Sequence, residues 1–372
     1  MSAVINETKS KQAPVAAKPG AVKNVAIVGA TGYTGQELVR LLLQHPEVQI
    51  ACAASHSNNG KSYASVYPGF QSIADFVCQE GDLAQIASQV DLIFLALPHG
   101  QAASKVDATV LEKCKVIDLS ADFRLDAAAD YKSWYAFEHP QPALLEEAVY
   151  GLPELNRIEI ASASLIANPG CYATCSILTL APLVKANLIE LDSLVIDAKS
   201  GVSGAGRGFD LGVHFNECNE SIKAYKVGCH RHTPEIEQVL AVLAGQSFCT
   251  SFTPHLVPMN RGILVTAYAK LASKISQAEI LEIYRAFFKD EPFVRLFTPQ
   301  SGTYSIPETR FVKGSNFCDI GLTVDARTNR VIAVGAIDNL VKGAAGQAIQ
   351  NMNLLFGWAE ATGLQQAPIF PA

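Results

Sequence analysis

The sequence has no long apolar run and no cluster of charges of one sign. No stretch reaches the roughly 18 consecutive apolar residues that a membrane-spanning helix needs, so we expect no membrane association. Only 17% of the 372 residues are charged, and the net charge is −6. No run of lysine and arginine offers the basic surface that nucleic acid requires, so we expect no nucleic-acid partner.

Metal-binding and disulfide patterns are also lacking, although cysteine occurs nine times. The cysteines are scattered singly, without CxxC or a Cys/His zinc ligand set, so we expect no metal. We interpret most of them as small buried hydrophobic residues in a reducing cytoplasm. Examples are Cys52, Cys78, Cys114 and Cys249. Cys171 differs from these because of its sequence context.

Apolar residues, by contrast, are abundant. They make up 49% of the chain, which is enough to build the two domains that a chain of this length suggests. Residues 1–22 are rich in Ala, Lys and Pro without periodicity and predict a flexible tail. They lack the apolar core of a secretory signal, and their lack of arginine argues against organellar targeting. We therefore expect a cytoplasmic protein whose order begins at residue 23.

Short apolar runs and helical patterns alternate after the tail. Strands are predicted at residues 24–28, 48–54, 90–97 and 115–119. This alternation predicts an α/β first domain, residues 23–170, with a parallel sheet covered by helices on both faces. The elements predicted beyond it are a helix at 171–186, a strand at 193–199, a glycine-rich loop at 200–207 and a strand at 262–269. The longer strands predict a mixed or antiparallel sheet in a second domain, residues 171–338.

A glycine-rich loop connects the first strand to the first helix. Its sequence is Gly29-Ala30-Thr31-Gly32-Tyr33-Thr34-Gly35. The glycines allow a tight turn, and backbone N–H groups can then approach a pyrophosphate at the positive end of the helix. The loop's place between a strand and a helix favours a dinucleotide site over a turn that binds nothing. The residues assigned to the cofactor here are Gly29, Thr31, Gly32, Tyr33, Thr34 and Gly35.

The end of the second strand predicts which dinucleotide is bound. An NAD site usually has a carboxylate there, but residues 53–58 contain hydroxyls and an amide and no acid. Ser55 and Ser57 are therefore assigned to the 2′-phosphate of NADP, the alternative being a polar loop without cofactor contact. Leu97, Pro98 and His99 lie where the third strand ends, at the carboxyl edge of the sheet, and are assigned to the nicotinamide end.

Cys171 is the predicted nucleophile. It follows Asn168-Pro169-Gly170 and occupies the first position of an apolar helix. The unsatisfied N–H groups and the positive helix end should lower the pKa of a thiol there, and the same N–H groups could hold an oxyanion. Cys175, one turn further into the helix, is the weaker candidate. The alternative is a buried structural cysteine that happens to start a helix.

A base is predicted in His230-Arg231-His232-Thr233-Pro234-Glu235. This segment precedes a helix, with Thr233 expected as N-cap and Pro234 at the first helical position. Histidines outside a positive helix end favour the neutral form that a base needs, and Glu235 could orient one imidazole. The alternative is two surface histidines that flank a cap.

Arg124 follows the fourth strand, where a guanidinium could bind a phosphate bidentately. The alternative is an ordinary ion pair with Asp122 or Asp126. Arg207 and Arg261, both in predicted loops, are weaker candidates of the same kind.

Six segments, in order from about residue 23 to 352, carry a resemblance to a known family. They are Val28-Gly29-Ala30-Thr31-Gly32-Tyr33-Thr34-Gly35, Ala96-Leu97-Pro98-His99-Gly100, Asp118-Leu119-Ser120-Ala121-Asp122-Phe123-Arg124, Tyr150-Gly151-Leu152-Pro153-Glu154, Asn168-Pro169-Gly170-Cys171-Tyr172 and His230-Arg231-His232-Thr233-Pro234-Glu235. Together they resemble the N-acetyl-γ-glutamyl-phosphate reductase family.

The resemblance implies a Rossmann domain that binds NADP and an α+β catalytic domain like that of glyceraldehyde-3-phosphate dehydrogenase. The C-terminal helix, residues 339–356, should return to the first domain. It further implies arginine biosynthesis, an acyl phosphate substrate with phosphate as the second ligand, and a homodimer or homotetramer. Cys171 maps to the family's nucleophile and His230 to its base, with His232 and Glu235 beside it.

Further assignments complete the expected site. Those to the cofactor are Ser203, Gly204 and Asn339, and those to substrate or phosphate are Arg124, Ser120, Asn168 and Arg207. The alternatives are a related reductase of aminoadipyl or aspartyl phosphate, and a non-catalytic NADP-binding regulator.

Overall fold

The computed structural model describes residues 22–298 and 305–371, so the predicted tail lies outside the described residues except for Val22. The strands are β1 (Lys23–Val28), β2 (Val48–Ala54), β3 (Leu92–Leu95), β4 (Lys115–Asp118), β5 (Val149–Tyr150), β6 (Leu165–Ala167), β7 (Val195–Ser200), β8 (Lys223–Ala224), β9 (Ser251–Leu256), β10 (Ile263–Lys270), β11 (Val294–Phe297), β12 (Cys318–Asp325) and β13 (Arg330–Ile337). The α-helices are α1 (Tyr33–Leu42), α2 (Tyr63–Val66), α3 (Leu83–Ala87), α4 (Ala108–Leu111), α5 (Ala128–Tyr135), α6 (Ala143–Glu147), α7 (Pro153–Ser162), α8 (Cys171–Lys185), α9 (Phe215–Cys218), α10 (Thr233–Ala244), α11 (Gln277–Phe287) and α12 (Gly346–Leu355).

The first sheet has six strands in the order β2-β1-β3-β4-β6-β5, and every neighbouring pair is parallel. All four residues of β3 are buried, as expected for a strand covered on both faces. The chain leaves β1 toward β2 on one side and returns to β3 on the other. The carboxyl ends of β1 and β3 therefore form the topological switch point where such sheets bind ligands. The prediction of a parallel sheet is confirmed.

The second sheet has seven strands in the order β11-β12-β13-β10-β7-β9-β8, with both parallel and antiparallel neighbours. In its long central strand β10, Ile263, Val265, Ala267 and Ala269 are buried, and the residues between them are more exposed. Helix α8 packs on the buried face of this sheet together with α10 and α11. The prediction of a mixed sheet is confirmed.

Some element boundaries differ from the prediction. Strand β3 ends at Leu95 instead of residue 97, because Ala96 turns against the glycine-rich loop. The helix predicted at 339–356 consists of a π-helical turn, Val341–Ala345, followed by α12. Ile349 and Met352 of α12 share a core with Val25 of β1, so this helix covers the first sheet.

The π-helical turn also reaches α8. A Cβ atom added to Gly343 would lie 2.7 Å from Cβ of Cys171, so only glycine allows the turn to pack this closely. Within the described ranges, no helix is both long enough and apolar enough to cross a membrane.

Candidate active site

The glycine-rich loop has the geometry that a dinucleotide needs. Gly29 has φ +88°, and a Cβ there would lie 2.2 Å from the Ala96 carbonyl oxygen. A Cβ on Gly35 would lie 2.2 Å from the carbonyl oxygen of Gly29. Gly32 is the N-cap of α1 and provides no side-chain cap, so the first-turn N–H groups at Tyr33 and Thr34 are left for a ligand. These residues fit a dinucleotide diphosphate.

Hydroxyl groups at the end of β2 form a small polar cluster. Thr31 Oγ1 lies 2.7 Å from Ser55 Oγ, and Asn58 Nδ2 donates to Thr31 Oγ1 and to Ser57 Oγ at 3.2 Å each. The structure thus brings the predicted residues Thr31, Ser55 and Ser57 together. A carboxylate from outside residues 53–58 also lies here, because Glu80 forms an ion pair with His56.

The glycine-rich loop after β7 joins this nucleotide end. Asn339 Nδ2 donates to Ser203 Oγ at 3.0 Å, and Gly204 lies beside both residues. Arg207 donates from Nη1 to the Thr31 carbonyl at 3.1 Å. The structure therefore places Arg207 on the nucleotide loop, whereas the sequence suggested the substrate phosphate. Arg261, the other loop arginine, is bound by Glu37 at 2.7 Å.

Cys171 is the first residue of α8 and is partly accessible to solvent. The prediction of a lowered thiol pKa is wrong. Burial raises the pKa of Cys171 to about 11, although the Arg124 guanidinium and the Tyr172 N–H act in the opposite direction. Desolvation outweighs the helix end here because the site is enclosed by side chains. Burial also raises the pKa of Cys175, which is fully buried, so Cys171 remains the better nucleophile.

Both predicted histidines are neutral. Burial, helped by Lys226 and Arg231, lowers the pKa of His230 to about 3. His230 Nδ1 accepts from the His232 N–H at 3.1 Å, which fixes the tautomer with the proton on Nε2. Its ring is enclosed by three aromatic rings whose centroids lie 5.4–5.6 Å away. They belong to Tyr172, Tyr225 and Phe252.

His232 lies closer to the nucleophile turn. A Cβ on Gly170 would be 2.4 Å from His232 Nε2, so the imidazole packs on the residue before Cys171. Burial holds the pKa of His232 well below its usual value, and a positive charge on the imidazole would also be opposed by His230 and Arg124. Among the described residues, His232 Nδ1 has no hydrogen-bond partner, although it is buried.

The expected N-cap at Thr233 is wrong. Helix α10 begins at Thr233 itself, and His232 is the N-cap, because the His232 carbonyl already accepts from the Ile236 N–H. The hydroxyl of Thr233 is buried and makes no cap bond in the described part of the chain.

Within the described residues, Glu235 forms no hydrogen bond with an imidazole, contrary to expectation. Its Oε1 accepts from the Gly170 N–H at 2.7 Å and from the Tyr150 hydroxyl at 2.8 Å. Its Oε2 lies 3.4 Å from Arg124 Nη1. Glu235 therefore holds the turn that presents Cys171, and it replaces Asp122 and Asp126 as the ion-pair partner considered for Arg124.

Arg124 is buried beneath the same turn, and its guanidinium already donates hydrogen bonds to protein acceptors. Nε donates to the Asn168 carbonyl at 2.8 Å, and Nη2 donates to the Leu119 carbonyl at 3.1 Å. With the contact to Glu235, these bonds use three of the five N–H donors of the guanidinium.

Ser120 and Asn168, also assigned to phosphate, are bound within the protein. Ser120 Oγ donates to Asp118 at 2.7 Å, and Asn168 Oδ1 accepts from Asn351 at 3.1 Å. Burial, helped by the charge of Asp122, raises the pKa of Asp118 to about 7. These polar groups brace the sheet edge under the site.

His99 follows β3 and belongs to the group of buried side chains around Cys171. Its Nδ1 accepts from the Ala121 N–H at 3.1 Å, and its ring packs edge-on against Tyr135. Burial, with Arg231 and Arg124, lowers its pKa to about 3. Leu97 and Pro98 lead into this loop at the carboxyl edge of the sheet.

Sequence reasoning missed several residues that shape the site. Tyr150 holds Glu235, Tyr172 and Tyr225 enclose His230, and Gly343 packs on Cys171. The segment containing Tyr150 carried part of the family resemblance but gave no role. Tyr172 likewise belongs to a segment of the resemblance without a role, and the positions of Tyr225 and Gly343 depend on the tertiary fold, so no local signal marks them.

Two family models match the chain in succession. The model described as the semialdehyde dehydrogenase NAD binding domain matches residues 24–163, and the semialdehyde dehydrogenase dimerisation domain matches residues 171–339. Together with the dinucleotide loop and the cysteine turn, they define a semialdehyde dehydrogenase-type oxidoreductase.

The similarity to curated relatives is closer. N-acetyl-γ-glutamyl-phosphate reductase of Lachnoclostridium phytofermentans is 52% identical over 93% of this chain and 99% of its own length. The protein of the same name from Campylobacter jejuni subsp. doylei is 51% identical over 92% of this chain and 97% of its own length. The chain belongs to the N-acetyl-γ-glutamyl-phosphate reductase family.

Solved structures support the fold. Aspartate semialdehyde dehydrogenase II from Vibrio cholerae, complexed with ASA, aligns with a TM-score of 0.68 at 19% identity, over 91% of this chain and 99% of that one. Aspartate semialdehyde dehydrogenase with NADP from Candida albicans aligns with a TM-score of 0.64 at 17% identity, with the same coverage of both chains. At these identities the likeness concerns the fold alone.

Proposed function

We propose that this protein reduces N-acetyl-γ-glutamyl phosphate to N-acetylglutamate 5-semialdehyde and phosphate, with NADPH, in arginine biosynthesis. The observation that carries the proposal is a partly accessible cysteine at a helix start beside a neutral histidine, in a chain that also has the glycine-rich loop of a dinucleotide site. The names of relatives about half identical to the chain supply the substrate. The match to a dimerisation domain supports a homo-oligomer, and we infer a cytoplasmic enzyme from its biosynthetic role.

The proposed chemistry passes through a thioester on Cys171. The sulfur attacks the acyl carbon as the thiol proton moves to an imidazole, and the phosphate leaves with the bonding electrons. The N–H groups at the start of α8 hold the acyl oxygen while negative charge develops on it. Bound NADPH supplies the hydride that reduces the thioester carbon. The Cys171 sulfur then leaves, releases the aldehyde and recovers its proton.

We propose that His232 exchanges this proton, and not His230 as the sequence resemblance suggested. Nε2 of His232 packs on Gly170, next to the nucleophile. The Nδ1 of His230 is already an acceptor, so His230 presents an N–H at Nε2 and acts as a donor to the substrate. Because both imidazoles are neutral, His232 can take the proton and His230 can donate a hydrogen bond without repelling each other.

The residues of the nucleotide end would hold the cofactor. The first turn of α1 suits the diphosphate, and Ser55 and Ser57 suit a 2′-phosphate. Ser203, Gly204 and Asn339 border the same cleft from the second sheet and are proposed to meet the nicotinamide end.

The direct test is an assay in the reverse direction. NADPH formation at about 340 nm is followed with N-acetylglutamate semialdehyde, phosphate and NADP⁺, and Cys171→Ala is the inactive control. We expect phosphate-dependent turnover in wild type alone. Faster turnover of aspartate semialdehyde would assign the protein to a related reductase, and NADP⁺ binding without any turnover would favour the regulator.

A further inference from the structure

A cavity lies between the nucleotide helix and the glycine-rich loop after β7. Its volume is about 580 Å³, which is within the usual range of small-molecule sites. Tyr33 and Gln36 of α1 line one wall, and Ser203 and Arg207 line the opposite wall. A ligand here would touch both the first turn of α1 and the second domain.

The charged side chains that line this cavity differ in whether they are already paired with protein groups. Arg261 lines the cavity but is neutralised by Glu37 at 2.7 Å and Asp338 at 3.4 Å. Asp210 also lines it, and its carboxylate accepts from the Gly212 N–H. Arg207 forms no salt bridge within the described residues, so its charge is available to an anion.

Two contacts hold Arg207 over the nucleotide loop. Nη1 donates to the Thr31 carbonyl at 3.1 Å, and the guanidinium lies 4.6 Å from the centre of the Tyr67 ring. The Tyr67 hydroxyl donates to the same carbonyl at 2.9 Å. A guanidinium has five N–H donors, and the bond to Thr31 uses one of them. The side chain is therefore oriented without being saturated.

We propose that Arg207 binds the diphosphate of the dinucleotide, as a cation that the second domain contributes to the first domain's cofactor site. This inference rests on the proposed function. The diphosphate is the fitting group because the cavity opens onto the start of α1, where a dinucleotide diphosphate binds. The 2′-phosphate is expected at Ser55, whose hydroxyl lies next to the side chain of Thr31. Lys61 is linked to the same group of side chains because its Nζ donates to Asn58 Oδ1.

A variant of Arg207 distinguishes binding of the diphosphate from binding of the 2′-phosphate. Arg207→Met removes the charge and keeps a long side chain. The dissociation constants of NADP⁺ and NAD⁺ are measured by calorimetry on the full-length protein without substrate. We expect both constants to rise by a similar factor of roughly 10 to 100, the usual effect of losing a charge-assisted hydrogen bond. Arg285→Met, on the exposed face of α11, is the matched control and should change neither.

Other outcomes contradict the proposal in distinct ways. A loss confined to NADP⁺ would mean that Arg207 reads the 2′-phosphate, and unchanged binding of both would leave it a structural contact. Failure of the wild type to bind either dinucleotide would instead contradict the proposed function. Thermal denaturation without ligand checks the fold, and Arg207→Lys, which keeps the charge, should weaken binding less than Arg207→Met.

Discussion

The nucleotide loop comes from one stretch of chain, residues 23–35, whereas the cluster around Cys171 is assembled from distant segments. In the loop the functional groups are backbone N–H groups. Two glycines allow their position, because a Cβ atom at either glycine would lie only 2.2 Å from a backbone oxygen. In the cluster they are side chains, held by Glu235 and by a π-helical turn that lies more than a hundred residues away in sequence. A local sequence can specify the first kind of site. The second kind requires the complete tertiary fold.

The electrostatics of the two regions also differ. The loop offers a positive helix end to an anionic ligand, and Arg207 lies over the loop from the second domain. The reacting cluster surrounds Cys171 with neutral imidazoles and one buried ion pair, Arg124–Glu235. We therefore expect changes in the cluster to act on turnover and changes in the loop to act on cofactor affinity.

The largest expected effect is at the nucleophile. Cys171→Ser should lose on the order of several decades of turnover and still bind NADP⁺, because the hydroxyl is a poorer nucleophile while the loop is untouched. Turnover is followed by NADPH formation and binding by calorimetry. Cys175→Ser is the control. Near-normal turnover in Cys171→Ser, or an acyl group mapped to Cys175 by mass spectrometry, would contradict the assignment.

The two histidines test the division of roles within the cluster. His232→Asn should slow kcat by about two to four decades, as expected for a positioned general acid–base. His230→Asn should mainly raise KM for the acyl substrate, since it loses a hydrogen bond from Nε2. Steady-state kinetics of both variants decide this, and the reverse result would return the base to His230.

The pH dependence of alkylation tests the charge state of the cluster. Burial raises the pKa of Cys171 to about 11, so the thiolate fraction of the free enzyme should rise roughly tenfold per pH unit between about pH 6 and 9. The iodoacetamide rate at the Cys171 peptide is measured by mass spectrometry. Cys249, which is exposed and not buried as the sequence analysis predicted, is a check on the reagent. A plateau near neutral pH would indicate a thiolate–imidazolium pair instead.

The smallest expected effect is at the nucleotide end. Ser55→Asp places a carboxylate in the hydroxyl cluster with Thr31, where it should repel a 2′-phosphate and shift selectivity toward NADH. The sign of the change in selectivity, and not its size, is the test. The kcat/KM values for NADPH and NADH are compared in both proteins. Unchanged use of NADPH would place the phosphate elsewhere.

Much of the architecture could be predicted because local patterns are strong there. The bounds of β2 were predicted to the residue, and the start of α8 at Cys171 follows from the preceding Pro169 and Gly170. The glycine-rich loop was identified from its spacing and from its place between a strand and a helix.

The errors concern properties that depend on the surroundings. A helix start predicted a lowered pKa for Cys171, but burial by other segments prevails. Glu235 was placed beside an imidazole by sequence proximity, yet its partners Gly170 and Tyr150 are more than sixty residues away. The assignment of Ser120 and Asn168 to phosphate is not among these errors and stays a prediction, although both side chains also bond within the protein.

The return of α12 to the first sheet has a consequence for folding during synthesis. The core that contains Val25 and Ile27 is completed by Ile349, Met352 and Leu364, all fully buried. Ile349, Met352 and Leu364 follow Val25 by more than three hundred residues, so the first sheet cannot complete this core until α12 and the segment after it have been synthesised. A chain that stops before α12 should therefore leave this apolar face of the first sheet uncovered.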